Sequence, residues 1–445
     1  MQTTDLIIIG SGPGGYRAAA HAAHKGLSVT IIEEGPVGGT CLNAGCIPTK
    51  TLARNAEIID TLHKADTYGL NDLHFNLDFS QMMAHKLKVV ETLRQGVETL
   101  LAAPGITLVQ GKAQFTATRV VSVGDEEYTA PHIIIATGST AKLLNIPGIN
   151  HPKVMTSTQL LDIEAPPQRL VIVGAGVVGM EFASIFASFG SEVTVVEYLK
   201  ECLPLLDSDI AKRLRQTLAK RGITFVMQAG VKEITDEGVV YERKGKTFLA
   251  EADVVLMATG RAPRTDGLQL EKTGVEVVRS GIAINDDYET TTPGIYAIGD
   301  VNGQAMVAHA ATAQGLHVVN RILGIDDNMD LHLVPGAIFT HPEAAYVGAT
   351  EESCQQNGID CFCKKGFYRA NGKALAMDET DGMVKLVFSS NDKKILGCHA
   401  FGAHAADIAQ EACALMAMNA TLDQLRDTIH IHPTIGEILQ DICWA

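Results

Sequence analysis

Two cysteines stand five positions apart in Gly39-Thr40-Cys41-Leu42-Asn43-Ala44-Gly45-Cys46-Ile47-Pro48-Thr49-Lys50. Paired thiols can close and open a disulfide, and so pass two electrons between sulfur and a carrier. An ideal α-helix through residues 41 to 46 would hold the two Cα atoms roughly 8.6 Å apart, whereas a disulfide needs about 4.4–6.8 Å. Either the cysteines do not bond or the helix is distorted between them, and Gly45 and Pro48 are the residues that permit distortion. A bridge across a distorted turn is easily reduced, which suits catalysis better than stapling. The other cysteines, at 202, 354, 361, 363, 398, 413 and 443, show neither a disulfide framework nor zinc-ligand spacing. They read as structural, and no metal site is expected.

The elements around the pair repeat. Leu6-Ile7-Ile8-Ile9 reads as a buried strand, followed by Gly10-Ser11-Gly12-Pro13-Gly14-Gly15, a helix over about 15–25, and a strand ending at Glu33. The pattern recurs as Leu170-Val171-Ile172-Val173, Gly174-Ala175-Gly176-Val177-Val178-Gly179, a helix to about Phe189, and a strand ending at Glu197. Gly10 to Glu33 and Gly174 to Glu197 both span 23 positions. Each copy later closes a strand in the same triplet, Ala136-Thr137-Gly138 and Ala258-Thr259-Gly260.

A G-x-G-x-x-G turn between strand and helix, with an acid about 20 residues on, is a dinucleotide fingerprint. The first glycine makes the tight turn, the second admits a pyrophosphate and the third packs helix on strand. The helix N-terminus faces the phosphates. Glu197 would bond a ribose 2′-hydroxyl and repel a 2′-phosphate, and no arginine follows in Tyr198-Leu199-Lys200. The second copy is therefore expected to take NAD rather than NADP, with Lys200 the one residue that blurs the reading.

Length and composition bound the rest. A chain of 445 residues is too long for one core, and two to four domains are expected. A formal charge of −15 disfavours nucleic acid. The apolar stretches are broken by glycine well short of a membrane span, and Leu6 runs straight into the glycine loop with no room for a leader. An odd count of nine cysteines in a long chain suits a reducing compartment, so cytoplasm is expected. Residues 52–105 read as mainly helical with a loop around 68–76, and 106–130 as strands. From about residue 331 the texture changes again, with strands over 383–400 and an alanine-rich helix over 403–419.

With these motifs in place, the chain resembles the flavin-dependent pyridine nucleotide–disulfide oxidoreductases. The cysteine block carries the resemblance together with Ile295-Tyr296-Ala297-Ile298-Gly299-Asp300, Thr340-His341-Pro342-Glu343 and His432-Pro433-Thr434-Ile435-Gly436-Glu437. The resemblance implies an α/β fold of two Rossmann-like FAD/NAD-binding domains plus a C-terminal α+β dimerisation domain. The FAD-binding domain would comprise 1–143 and 261–327, the NAD-binding domain 144–260 and the dimerisation domain 328–445. FAD would be held by Gly10, Gly12, Gly15, Glu33, Glu34, Thr40, Lys50, Ala136, Thr137, Gly138, Asp300 and Ala308. NAD would be held by Gly174, Gly176, Gly179, Glu181, Glu197 and Gly260.

The resemblance also implies roles. Cys46 would lie against the flavin as a charge-transfer thiolate and Cys41 would exchange with substrate sulfur. Lys50 and Glu181 would pair near flavin and nicotinamide. His432 would be the base, oriented by Glu437, and would serve the disulfide of the other subunit, which makes the protein a homodimer. Within the family the cysteine block looks most like that of enzymes oxidising dihydrolipoamide, the group carried by the lipoyl domain of a 2-oxoacid dehydrogenase or glycine-cleavage system.

Each assignment has a plainer alternative: buried cysteines, a turn aspartate at 300, a solvated lysine at 50, a first-turn glutamate at 181, and His430 in place of His432 as the base. Some features depart from the family pattern. Ala308 to Gly315 lacks the usual lysine and acids, Gly436 replaces a serine, and eight residues follow Glu437. Glutathione, trypanothione and mercuric reductases are the alternative activities, and a non-catalytic flavoprotein on the same fold is the alternative class.

Overall fold

A computed structural model describes residues 1–444, which fall into two compact units. The first comprises 1–51, 81–142 and 260–331, and the second 52–80, 143–259 and 332–445.

The first unit is built on a five-stranded parallel sheet in the order Ile295–Ala297, His132–Ile135, Leu6–Ile9, Val29–Glu33, Ile106–Gln110. Runs of Ile and Val suit a strand covered on both faces, and both faces are covered. Leu6, Ile8, Ile31 and Ile134 pack on Ala18, Ala19, Ala22, Val318 and Val319 of two helices. Ile7, Ile9, Ile133 and Ile135 pack on Phe115, Val121 and Tyr128 of an antiparallel meander over 113–129. Each fully buried side chain of this kind stabilises the fold by about 1.5–3 kcal/mol.

The second unit repeats that sheet as Val154–Met155, Val254–Met257, Arg169–Val173, Glu192–Glu197, Thr224–Met227, again all parallel. A second antiparallel meander, over 230–251, covers one face through Val239 and Tyr241 against Val171 and Val173. The duplication thus extends beyond the fingerprint to the meander. The same unit holds a five-stranded antiparallel sheet, Gly336–Ile338, Ala344–Gly348, Ile395–Phe401, Met383–Ser389 and Cys361–Phe367. Its Val347, Leu386 and Ala400 are covered by Ile408, Ala409 and Ala412, and by Ile438, Leu439 and Ile442 of the last helix. Residues 52–80, expected with the first domain, pack inside this second unit, where Phe79 meets the edge of Phe189. No described helix is long and apolar enough to cross a membrane.

Candidate active site

The helix through the cysteines is broken between them. One helix runs Gly39–Ala44, Gly45 leaves helical geometry at φ −149° and ψ −110°, and a new helix runs Cys46–His63. Glycine is needed at 45 because a Cβ there would lie 2.9 Å from the Thr40 carbonyl oxygen. Cys46 becomes the first residue of its helix, where the N-terminal dipole favours a thiolate. Cys41 and Cys46 meet through a side-chain hydrogen bond. That bond, with burial, raises the Cys41 thiol well above its ordinary range, while Lys50 and the Cys46 backbone N–H pull it back.

The first fingerprint holds this helix in place. Gly39, at φ +63°, packs so closely on the first glycine loop that a Cβ would sit 2.6 Å from the Gly12 Cα. Asn43 Nδ2 donates to the carbonyls of Val37 (2.9 Å) and Gly39 (3.0 Å). Its Oδ1 is buried without a partner among the described residues. Thr40 is exposed on the same helix, one residue before Cys41.

The glycines separate into those the fold requires and those it leaves open. A Cβ at Gly10 would lie 2.4 Å from the Ala136 carbonyl oxygen, and one at Gly15 would lie 1.9 Å from that of Gly10. At Gly174 and Gly179 the same oxygens, of Ala258 and Gly174, would be met at 2.4 and 2.0 Å. The middle glycines differ. Gly12 and Gly176 have ordinary extended backbone; a Cβ at Gly12 would only reach the Gly39 Cα at 4.0 Å, and one at Gly176 would meet nothing. Neither chain geometry nor packing demands glycine there, whereas a ligand backbone approaching the loop does. The donor set thus fits two dinucleotides.

The following helices, Pro13–His24 and Val177–Ser188, start without a side-chain cap or a first-turn acid, so their N–H groups face outward to an anion. Glu181 is the fifth residue of its helix rather than a first-turn acid; it is buried, and its Oε1 accepts the Phe339 N–H at 2.9 Å. A helix Ala308–Ile322 runs alongside the first of these. Gly14 lies against Ala311, Gly315 against Ala18, and His21 Nε2 meets Asn320 Oδ1 at 2.8 Å. That parallel register sets the N-terminus at Ala308, also uncapped, beside the one at Pro13.

Glu33 and Glu197 occupy matching positions. Glu33 Oε2 accepts from Ser11 N–H (2.8 Å) and Oγ (2.7 Å), and Oε1 from Gly35 N–H (2.9 Å). Glu197 Oε2 accepts from Ala175 N–H (2.6 Å) and Oε1 from Leu199 N–H (2.7 Å). Each carboxylate ties the glycine loop to the turn after the second strand, and a lone pair stays open for a ribose hydroxyl on Glu33 Oε1 and on both Glu197 oxygens. Lys200 is exposed beside Glu197.

Ala136, Thr137 and Gly138 leave their strand beside the first loop, with Ala136 N–H on Ile9 O at 2.8 Å. Arg264 gathers this corner. Its N–H donates to the Gly138 carbonyl at 2.9 Å, its carbonyl accepts from Thr137 Oγ1 at 2.6 Å, and its guanidinium pairs with Glu34. Asp300 sits in the turn Gly299–Asn302, accepting from Ser139 Oγ and lying 3.7 Å from Arg261 Nε. Gln314 Oε1 holds that turn by accepting the Gly299 N–H at 2.7 Å. Gly260, at φ +108°, directly precedes Arg261. Ser11, Asn43, Ser139, Arg261, Arg264 and Gln314 were not legible as site residues. Only Ser11 and Asn43 lie inside recognised motifs; the others are brought in by strand pairing between 139–141 and 261–263 and by helix packing.

At the C-terminal end, His432 Nδ1–H donates to Glu437 Oε1 at 2.9 Å, while Glu437 Oε2 accepts the Thr434 N–H at 2.8 Å. The Thr434 N–H and then His432 hold the Glu437 carboxyl below its usual range. The partner fixes the His432 tautomer and leaves Nε2 as the basic nitrogen, with no partner among the described residues on a side chain 79% exposed. His430 is held differently. Its side chain is 7% exposed, and both ring nitrogens face acceptors, Glu411 Oε1 at 2.9 Å and Thr428 O at 3.0 Å.

Comparison with known proteins bears on the family. A family model described as pyridine nucleotide-disulphide oxidoreductase matches residues 4–315, and one for that family's dimerisation domain matches 334–443. Mitochondrial dihydrolipoyl dehydrogenase of Pisum sativum is 37% identical, covering 99% of this chain and 91% of that protein. Dihydrolipoyl dehydrogenase of Chlamydia muridarum is 38% identical, covering 98% and 95%. The solved HOCl-induced flavoprotein disulfide reductase RclA of Escherichia coli superimposes with a TM-score of 0.88 at 31% identity, covering 99% of both chains. The chain belongs to the pyridine nucleotide-disulphide oxidoreductase family, the FAD- and NAD-dependent enzymes that carry a dimerisation domain.

Proposed function

We propose that the protein oxidises dihydrolipoamide to lipoamide and reduces NAD to NADH, as a homodimer serving the lipoyl domain of a 2-oxoacid dehydrogenase or glycine-cleavage system in the cytoplasm. The observation that carries the chemistry is the thiol pair at a helix break, seated on the first dinucleotide loop. The substrate is supported by the dihydrolipoyl dehydrogenases that this chain matches over more than nine-tenths of their length.

His432 Nε2 of one subunit takes a proton from a substrate thiol, and Glu437 stabilises the imidazolium. The substrate thiolate attacks Cys41 Sγ; the Cys41–Cys46 bond breaks and Cys46 leaves as thiolate at its helix N-terminus. The second substrate thiol attacks the substrate sulfur of the mixed disulfide, closes the lipoamide ring and returns the electron pair to Cys41, which takes a proton. FAD, held by Gly10, Gly12, Gly15, Glu33, Glu34, Thr40, Lys50, Ala136, Thr137, Gly138, Asp300 and Ala308, supplies two-electron chemistry between the dithiol and NAD when bound. Gly174, Gly176, Gly179, Glu181, Glu197 and Gly260 hold NAD, with Glu197 excluding a 2′-phosphate.

The test is steady-state turnover with dihydrolipoamide, glutathione, glutathione disulfide and mercuric ion, each with both nicotinamides. NADH formation from dihydrolipoamide should exceed every other pairing. Faster NADPH-dependent reduction of glutathione disulfide or mercuric ion would reject the substrate.

A further inference from the structure

We propose that Asp60 is a positioning residue for the thiol relay, a role that rests on the assignment of Cys46 made above. Cys46 opens the helix Cys46–His63, and Asp60 lies in its last turn. A carboxylate is disfavoured there, because the helix dipole leaves that end negative. Donors from three other parts of the second unit nevertheless converge on Asp60 Oδ2. His341 Nδ1–H donates at 2.9 Å, Ser188 Oγ lies at 3.1 Å, and the Arg221 guanidinium pairs with the same oxygen. Arg221 also donates to Ser188 Oγ at 2.9 Å and to the His341 carbonyl. Ser188 ends the helix Val177–Ser188, which follows the second glycine loop. One carboxylate oxygen thus joins the C-terminal ends of two helices, and the two cations offset the like partial charges that meet there.

The segment that supplies His341 is itself bound along the second of these helices. The Phe339 N–H donates to Glu181 at 2.9 Å and the His341 N–H to Ser184 Oγ at 3.0 Å. His341 Nε2–H donates to Glu379 Oε1 at 3.1 Å, so both ring nitrogens face carboxylates and the ring is held as imidazolium. Burial opposes charge on Asp60, but His341, Arg221 and Ser188 outweigh it and hold the carboxyl below its usual range. Arg221 and His341 balance Asp60 and Glu379. Cys46 and Asp60 stand 14 positions apart, about 21 Å of stiff helix. A joint in the last turn sets the height and rotation of the first residue, and a shift of about 1 Å at a reacting atom costs up to about 10²-fold in rate.

Asp60→Asn and Asp60→Leu, compared in the FAD-loaded dimer, test the role. Asparagine keeps an oxygen for all three donors, whereas leucine keeps only the bulk. After two-electron reduction, the long-wavelength thiolate–flavin charge-transfer band should stay near wild-type intensity in Asp60→Asn and be largely lost in Asp60→Leu. The kcat for dihydrolipoamide in Asp60→Leu should drop about 10- to 100-fold with little change in KM. The double variant Ser188→Ala, Arg221→Met keeps Asp60 paired with His341 but cuts its tie to the helix Val177–Ser188, and its band should fall as well. A band of wild-type intensity in Asp60→Leu or in the double variant would overturn the role of Asp60. Equal loss in Asp60→Asn and Asp60→Leu would overturn it too, since the charge and not the joint would then matter. A wild-type protein without the band would instead reject the assignment of Cys46, and the proposal with it.

Discussion

Gly176→Ala separates a glycine kept for a ligand from one kept for the fold. Gly176 has φ −78° and ψ −172°, and a Cβ there would meet nothing within 4 Å. Alanine is a poorer helix N-cap than glycine by about 0.5–1 kcal/mol. Losing glycine removes unfolded-chain freedom worth about 0.4–1 kcal/mol. The two nearly cancel, so the melting midpoint should move by less than about 3 °C. Gly174→Ala is the contrast, with φ +107° and a Cβ 2.4 Å from the Ala258 carbonyl oxygen. Backbone strain of about 1–3 kcal/mol and overpacking of about 1–3 kcal/mol should lower its midpoint by at least about 5 °C. In binding, a methyl in the space of the pyrophosphate costs about 1–3 kcal/mol by the same overpacking measure, or about 5- to 150-fold in the NADH dissociation constant. Fluorescence titration of the FAD-loaded dimer with NADH, beside calorimetry, reads both effects. Wild-type NADH affinity in Gly176→Ala, or a midpoint loss equal to that of Gly174→Ala, would refute the reasoning.

Three further perturbations test other parts of the site. His432→Gln should slow dihydrolipoamide oxidation by about 10²-fold or more while NADH oxidation by artificial acceptors continues; loss of both would mark a folding role, and His430→Gln should spare the thiol half-reaction. Glu197→Arg should weaken NADH more than NADPH, measured as the ratio of dissociation constants. An unchanged ratio would remove the stated basis for NAD selection, whereas a common loss on top of a changed ratio would reflect the Ala175 and Leu199 N–H groups that Glu197 also holds. His341 is half-buried, which alone would lower its pKa, but Asp60 (2.9 Å) and Glu379 (3.1 Å) outweigh this and raise it from 6.5 to about 9. Its stabilising contribution is then complete below the unfolded value and lost as pH rises through the folded one. The melting midpoint should fall between about pH 6.5 and 9, and His341→Asn should flatten that slope; an unchanged slope would discard the pairing.

Local pattern carried the parts of this protein whose physics is local. A run such as Leu6-Ile7-Ile8-Ile9 can only be buried on both faces, and identical spacing from Gly10 to Glu33 and Gly174 to Glu197 requires the same strand, turn and helix twice. Helix geometry and the reach of a disulfide left two outcomes, unbonded cysteines or a helix broken near Gly45, and the break is what the structure holds. Roles for Cys46, His432 and Asp300 came from resemblance, since one histidine beside a proline has no local signature. Tertiary structure decided which side chains meet, near or far in sequence. It engaged both nitrogens of His430 and left Nε2 of His432 open, because Glu411 and Thr428 reach one ring and only Glu437 the other. It brought Arg264 to Thr137 and Glu34, and Gln314 to the Asp300 turn, across more than a hundred residues in the first case and fewer than twenty in the second. It also showed that Gly12 and Gly176 are the glycines with space around them, a distinction that no spacing of letters contains because it depends on where other backbones pass.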